Sequence, residues 1–290
     1  MNLSSLLRSV RQSLEVAGVP SPGVDAELLL SHVLKIPRSG IYLEPQRELS
    51  PTEETIVLDL ARKRATRVPL QYITGECEFM SLTFKMKEGV FIPRPETEVL
   101  VDTMIERIEM DSLEPHLMLD LGTGSGAIAV SLAHHFRAGL VIASDISPLA
   151  VEIARENAIL NGVNDITRFV VGSGLSPLGG FSGRDRDDGF DAIACNPPYV
   201  GRAEIENLEP EIRDHEPRIA LDGGDTGLEF IESMLPRIAS ILTRRGIVGV
   251  EIGETQAGAV AETFESVGLQ GIEVIKDLNG KDRVVIGRQS

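Results

Sequence analysis

Asn196-Pro197-Pro198-Tyr199 gathers hydrogen-bond acceptors and an aromatic ring into one stiff length of chain. Proline fixes φ and has no N–H, so the carbonyls of Asn196 and Pro197 can be held as outward acceptors. The Asn196 side chain adds an acceptor, and Tyr199 an aromatic face over which a flat group can lie. Such a set suits a planar NH2 group, whether a side-chain amide or an aromatic amine. Taken alone, the tetrapeptide is equally a proline-stiffened loop. Its place directly after a candidate strand favours chemistry, because ligands of open parallel sheets lie outside the carboxyl ends of the strands.

A second group of residues lies upstream. DLGTGSGAIAVSLA at 120–133 follows a candidate strand and opens a helix, so Gly122, Gly124 and Gly126 can let the backbone approach a ligand. Asp145 follows Gly122 by 23 residues and ends the next candidate strand, where a carboxylate can accept hydrogen bonds from both hydroxyls of a ribose. This predicts an adenosine cofactor without specifying which one. With Ala127 the same letters satisfy the tolerant dinucleotide signature, so NAD stands as a rival.

The elements that must position these residues change character along the chain. Residues 1–75 read as helices: Leu3, Leu6, Leu7, Val10 and Leu14 recur at helical spacing, Val24 to Leu34 continue the pattern, and Pro37 ends it. Ser50, Pro51 and Glu53 form a capping-box start for a further helix, whose end carries Arg62, Lys63, Arg64 and Arg67. Residues 76–92 switch to short-period alternation around Phe79, Leu82, Phe84 and Met86, interrupted by Glu88-Gly89, and predict a linking β-hairpin. A second domain, 93–290, begins with a helix from Pro95. Its candidate strands are Leu117–Leu121, Leu140–Asp145, Ile166–Val171, Asp191–Cys195, Ile247–Ile252, Ile272–Asp277 and Arg283–Ile286. Its candidate helices are Ser125–Phe136, Pro148–Asn161, Thr226–Leu242 and Thr255–Val267. Apolar strands alternating with helices predict an α/β, mainly parallel, doubly wound sheet. The link around Asn279-Gly280 is too short for a crossover, so the last strand should run antiparallel. Gly172 to Gly189, with its RDRDD run, reads as a mobile surface loop.

Composition narrows the partners. The chain of 290 residues carries 28 basic and 44 acidic side chains, a net charge of -16, and the whole acidic surplus lies beyond residue 91. That argues against a large phosphate-neutralising footprint. Cys77 and Cys195 lie 118 residues apart with no CxxC partner, which predicts neither a disulfide framework nor zinc and suits a reducing cytoplasm. No apolar run approaches the ~20 residues that span a bilayer. The opening MNLSSLLRSVRQSLEVAG reads as a folded amphipathic helix, not an organellar presequence.

With both groups of residues in place, the chain resembles the HemK/PrmC family of S-adenosylmethionine-dependent methyltransferases, which methylate the glutamine of the Gly-Gly-Gln motif in class I peptide-chain release factors. The resemblance runs from the helical module to Arg288. It is carried by PLQYITGE at 69–76, GVFIPRPETE at 89–98, NPPYV at 196–200, EPEIRDHEPRIALDGGDTGL at 209–228, EIG at 251–253 and DLNGKDRVV at 277–285. It implies a Rossmann-like class I methyltransferase fold: a seven-stranded sheet with an antiparallel last strand, preceded by a small helical bundle (1–75) that recognises substrate and by the hairpin 76–92. It further implies that Gly122, Thr123, Gly124 and Gly126 cradle S-adenosylmethionine and that Asp145 binds its ribose. Asn196, Pro197, Pro198 and Tyr199 would hold the substrate amide beside the cofactor, and Phe91, Arg94 and Glu96 would line the pocket. Where relatives commonly carry an acid that contacts the adenine, this chain has Ser173. The expected partner is a release factor, met by a monomer without stable nucleic acid, membrane or metal.

Other residues carry less. His215 and Arg218 could touch substrate, fix the NPPY loop or form a surface salt bridge, and the Arg62 to Arg67 run could grip a partner or end a solvated helix. His134 and His135 make a poor metal pair, Cys195 reads as a buried small side chain, and Glu251 as a structural acceptor. A nucleic-acid amino-methyltransferase is the principal rival, since a flipped adenine also presents a planar NH2. A dinucleotide oxidoreductase and a cofactor-binding module without catalysis are more distant ones.

Overall fold

Residues 1–178 and 189–290 are described by a computed structural model. The chain divides into two units, Met1–Glu76 with Glu209–His215, and Cys77–Leu208 with Glu216–Ser290.

In the first unit, Leu3, Leu6, Val10 and Leu14 form the buried face of α1 (Leu3–Val16), whose start is capped by the Asn2 side chain accepting from the Ser5 amide. There follow α2 (Pro22–Leu34), α3 (Arg38–Leu43), α4 (Pro51–Ala65) and α5 (Leu70–Thr74). The expected capping box closes: the Glu53 amide donates to Ser50 Oγ at 3.2 Å and the Ser50 amide to Glu53 Oε2 at 2.8 Å. The helices share a core around Leu6, Leu29, Leu30 and Val57.

Half of the basic run at the end of α4 is tied into ion pairs within the unit. Arg64 lies one helical stripe along from Val57 and Ala61 and is buried with them. Its Nε donates to Asp25 Oδ2 at 2.7 Å and its Nη2 to Glu211 Oε1 at 2.8 Å, while Arg67 reaches Glu211 Oε2 at 2.5 Å and Glu209 Oε2 at 3.0 Å. Only Arg62 and Lys63 of the run remain exposed. The same ion cluster explains why 209–215, read from sequence as part of 93–290, folds with the helical unit.

The hairpin is shorter than expected. β1 (Glu76–Phe79) and β2 (Leu82–Lys85) are joined at Met80-Ser81, both with positive φ of 50° and 59°, while Glu88-Gly89 lies beyond the pairing. The Glu98 carboxylate accepts from the Met80 amide at 2.6 Å and so supports a turn that carries no glycine to announce it.

The second unit continues with α6 (Pro95–Met110), β3 (Leu117–Leu121), α7 (Ala127–His135), β4 (Leu140–Asp145), α8 (Pro148–Leu160), β5 (Thr167–Val171) and β6 (Phe190–Cys195). The short α9 (Pro210–Arg213) belongs to the first unit, and α10 (Glu229–Ile241), β7 (Leu242–Glu251), α11 (Ala257–Ser266), β8 (Gln270–Lys276) and β9 (Asp282–Arg288) complete the second. Among the described residues the large sheet has seven strands in the order β5-β4-β3-β6-β7-β9-β8. β3, β4, β5, β6 and β7 pair in parallel, and β9 inserts antiparallel between β7 and β8. This is the expected doubly wound, mainly parallel sheet, with its last strand antiparallel. Leu119, Ile193, Val248 and Val285 pack from it against Leu235, Ile238, Val260 and Phe264 of α10 and α11.

Boundaries moved where capping was invisible. α10 starts at Glu229, not Thr226, because Glu229 reaches back to the Thr226 amide and hydroxyl, both at 3.0 Å. β7 takes over directly at Leu242, giving ten residues where six were expected. Of the glycine-rich stretch 172–189, residues 179–188, with the RDRDD run, lie outside the described residues; Ser176–Leu178 form a short 3-10 helix.

Removing Arg64 would leave Asp25 without its buried counter-charge. Arg64→Leu is expected to cost about 3–5 kcal/mol in the helical unit, read as a lowered urea midpoint for that unit's transition in the full chain. An unchanged midpoint would show the cluster to be dispensable.

Candidate active site

The glycine loop leaves β3 at Leu121, whose register partners are Ser144 on β4 and Cys195 on β6. The amides of Gly122 and Thr123 both donate to the Ser144 carbonyl, at 2.8 and 2.9 Å, and the Gly124 amide donates to Asp145 Oδ2 at 2.8 Å. Asp145 Oδ1 accepts from the Ser147 amide at 2.8 Å, at the start of α8. Burial pushes the Asp145 pKa up, and the amides of Ser147, Gly124 and Ile146 oppose it. A carboxylate has about four lone-pair sites, so these contacts leave acceptor capacity for a ribose.

Gly124 has φ 56°, and a Cβ built there would meet nothing within 4 Å, so its backbone borders open space. At Gly126 a Cβ would stand 3.0 Å from Ala154 Cβ, which makes that glycine a packing requirement against α8. Thr123 is buried, and its hydroxyl donates to Asp120 Oδ2 at 2.6 Å, so it offers its side chain inward. Ser173 is exposed just beyond β5, two residues after Val171, the register partner of Asp145.

Asn196 follows β6, and a Cβ on Gly122 would lie 3.8 Å from its carbonyl oxygen, so the NPPY and glycine loops are immediate neighbours. Asn196 Nδ2 donates to Thr97 Oγ1 at 3.1 Å, and Tyr199 Oη to Glu251 Oε1 at 3.1 Å. Pro197 is buried and Pro198 half-buried. The tetrapeptide is also strapped along its backbone: Gln256 Nε2 donates to the Tyr199 carbonyl at 2.9 Å, and the Val200 carbonyl accepts from Gly223 at 2.9 Å. Side chains at Gly223 and Gly227 would collide with the carbonyls of Pro198 and Tyr199, which gives the DGGDTG stretch a packing role.

Phe91 and Arg94 form a stacked pair, with the guanidinium 5.0 Å from the ring centroid. Arg94 is ion-paired with the buried Glu216, which also takes the Ile92 amide, and this fixes the extended segment that enters α6. Glu96 is half-buried close enough to Glu251 to raise its pKa. Arg218 pairs loosely with Asp222 at 3.8 Å on the surface, and Asp222 also takes Arg202, while His215 belongs to the first unit. Burial pushes the Cys195 thiol well above its ordinary range, which keeps it protonated and inert.

Three polar residues essential to this arrangement have little or no sequence signal. Asp120, fully buried at the end of β3, takes Thr123 Oγ1 and the Ala129 amide, and burial raises its pKa to about 7. Asn157 on α8 is fully buried, donates to the Ser125 carbonyl at 2.8 Å and accepts from the Lys85 amide at 2.7 Å, tying the glycine loop to the hairpin. Thr97 sits in the first turn of α6 as an ordinary helix residue. Only Asp120, the acid opening the glycine signature, could have been singled out.

Comparison with known proteins adds to the geometry. The model of the PrmC N-terminal domain matches residues 5–75, and that of ribosomal protein L11 methyltransferase (PrmA) matches 101–196. A release factor glutamine methyltransferase of Moorella thermoacetica is 38% identical over 98% of this chain and 97% of its own. One from Geobacter sulfurreducens is 39% identical over 99% of this chain and 96% of its own. A solved 16S rRNA methyltransferase of T. thermophilus, in complex with AdoMet and guanosine, shares the fold at TM-score 0.51 and 18% identity, covering 74% of this chain and 50% of that one.

If Gly124 borders the cofactor, a branched side chain there should fill the cradle. Gly124→Val is expected to weaken S-adenosylmethionine binding at least about tenfold, or ~1.4 kcal/mol, by titration calorimetry on protein whose circular dichroism is native. Undiminished affinity in that folded variant would place the cofactor elsewhere.

Proposed function

The chain belongs to the release factor glutamine methyltransferase family, and we infer from that premise and from the site that it transfers the methyl group of S-adenosylmethionine to the side-chain amide nitrogen, N5, of the glutamine in the Gly-Gly-Gln motif of class I peptide-chain release factors. The dinucleotide reading of the glycine loop falls with that assignment. On the same reading it works as a cytoplasmic monomer on a protein substrate, with no stable nucleic acid, and the helical unit recognises the factor. No helix among the described residues is long and apolar enough to cross a membrane.

The observation that carries this reading is the place of Asn196 and Pro197 beside the glycine loop, with Asn196 Nδ2 already bonded to Thr97. A carboxamide nitrogen is a poor nucleophile because its lone pair is delocalised into the carbonyl. Two acceptors, Asn196 Oδ1 and the Pro197 carbonyl, would each take one N–H, fixing the nitrogen's orientation and stabilising the positive charge that develops on it. Bound along Gly122, Gly124, Gly126 and Asp145, S-adenosylmethionine supplies an electrophilic methyl on a sulfonium. Tyr199, anchored by its hydroxyl, offers a ring against which the flat amide can pack. The nitrogen that gains the methyl becomes acidic and sheds its proton to water, so no general base is assigned to the chain.

The test is transfer of labelled methyl to a purified class I release factor, beside its glutamine-to-alanine Gly-Gly-Gln variant and an unmethylated DNA duplex. Label is expected on the normal factor alone; label on DNA would leave the clamp and overturn the substrate. Asn196→Ala is expected to lose about 10²–10³-fold in turnover with S-adenosylmethionine affinity retained, and equal activity would remove Asn196 from the clamp.

A further inference from the structure

Asn157 divides one side-chain nitrogen between two separate parts of the chain. Nδ2 has two protons to give, and one goes to the Ser125 carbonyl at 2.8 Å and the other to the Lys85 carbonyl at 3.1 Å. Oδ1 accepts from the Lys85 amide at 2.7 Å. The side-chain amide thus pairs with both backbone groups of Lys85, as a neighbouring strand would, while its remaining N–H holds the glycine loop. Ser125 is one residue past Gly124, whose backbone borders open space. Lys85 ends β2 and leads into the stretch that reaches Phe91 and Arg94.

The helix that carries Asn157 braces both sides of this junction. A Cβ on Gly126 would stand 3.0 Å from Ala154 Cβ, and one on Gly89 3.3 Å from Leu149 Cδ2, so the glycine loop and the stretch after β2 both pack on α8. Asn161, just past the helix end, donates to the Thr83 carbonyl at 3.0 Å. Its nitrogen otherwise returns to the Asn157 carbonyl, so this second tie to the hairpin bypasses the glycine loop.

We propose that Asn157 is a positioning residue that carries cofactor binding from the glycine loop to the backbone of β2, so that S-adenosylmethionine readies the Phe91 and Arg94 side of the site for substrate. The inference rests on the amide-methylating reading above.

An amide group is planar and rigid, so its three hydrogen bonds are fixed in direction relative to one another. If the Ser125 carbonyl moves, the Asn157 plane must follow it or give up a bond, and either change reaches Lys85. Asn157 is 0% exposed, so solvent is not at hand to replace a lost partner, and a broken bond leaves a buried polar group unsatisfied. A leucine would occupy nearly the same space and transmit no direction. A ligand that settles the glycine loop in one conformation therefore restricts the hairpin junction as well, and a second ligand on that side has less order left to supply. Linkage makes the effect reciprocal: a partner that fixes the junction strengthens S-adenosylmethionine binding by the same factor.

Amide hydrogen exchange in the full chain reads this link without reference to any substrate. Saturating S-adenosylmethionine, with binding checked by titration calorimetry, is expected to slow exchange of the Lys85 amide about tenfold. The Met80 amide should be unaffected, since it is held by Glu98 and not by α8. Asn161→Ala loosens the hairpin without touching the glycine loop and should keep the Lys85 response. Asn157→Leu should lose it with native circular dichroism, and if that variant does not fold, the Lys85 and Met80 comparison in the wild-type chain decides. No slowing at Lys85, equal slowing at Met80, or a response that survives in Asn157→Leu would overturn the proposal. Methyl transfer by the wild-type chain judges the function separately: slowing at Lys85 without methylation of a release factor would keep the link and lose the substrate.

Discussion

Leu121 is in register with Ser144 on one side and with Cys195 on the other, and the site depends on that alignment. Because β3, β4 and β6 run parallel and stop at one level, the glycine loop, Asp145 and Asn196 emerge side by side although 74 residues of sequence separate Gly122 from Asn196. No helix has to be bent and no loop has to travel to bring them together. A shift of one residue along any of these strands would turn each exit residue to the other face of the sheet. The buried apolar runs of β3 and β6, covered on both faces, make such a slip costly.

Much of this order was legible in the sequence because it follows from local pattern. Apolar runs alternating with helices gave the parallel sheet, the Asn279-Gly280 turn gave the antiparallel end, and the glycine spacing gave the loop after β3. What escaped were partners that local pattern does not encode. Met80-Ser81 turns a hairpin without glycine because a carboxylate 18 residues downstream holds its amide. Arg64 and Arg67 look solvated until Glu211, 147 and 144 residues away, returns to them. In the site, the places of NPPY and the glycine loop were plain and Glu251 read as a structural acceptor, as its bond to Tyr199 has it, whereas Thr97 and Asn157 gain meaning only from what they face.

Two buried acids behind the site share a physical character. Asp120 and Glu251 are carboxyls in surroundings that raise their pKa to about 7, each with one oxygen bonded and the other without a partner among the described residues. Such groups oppose folding, because burial penalises a charge that is not fully compensated. Their placement is explained by direction and not by stability: Asp120 fixes the start of the glycine loop through Thr123 and Ala129, and Glu251 holds Tyr199.

A site that selects a carboxamide has a specific problem, since that group is weakly basic, carries no charge and offers little beyond two N–H donors and an oxygen. It cannot be gripped by an ion pair, and a general base would have no acidic proton to remove before the methyl arrives. Acceptors at fixed positions are what remain, and an acceptor is only as selective as its orientation is enforced. On the proposed reading each is enforced from behind, Asn196 by Thr97 and Pro197 by its own ring, while Gly223 and Gly227 pack closely on the carbonyls of Pro198 and Tyr199 that follow. The residues that would touch the substrate are therefore few, and most of the machinery lies one layer deeper, where its task is to leave each contacting group a single direction to point.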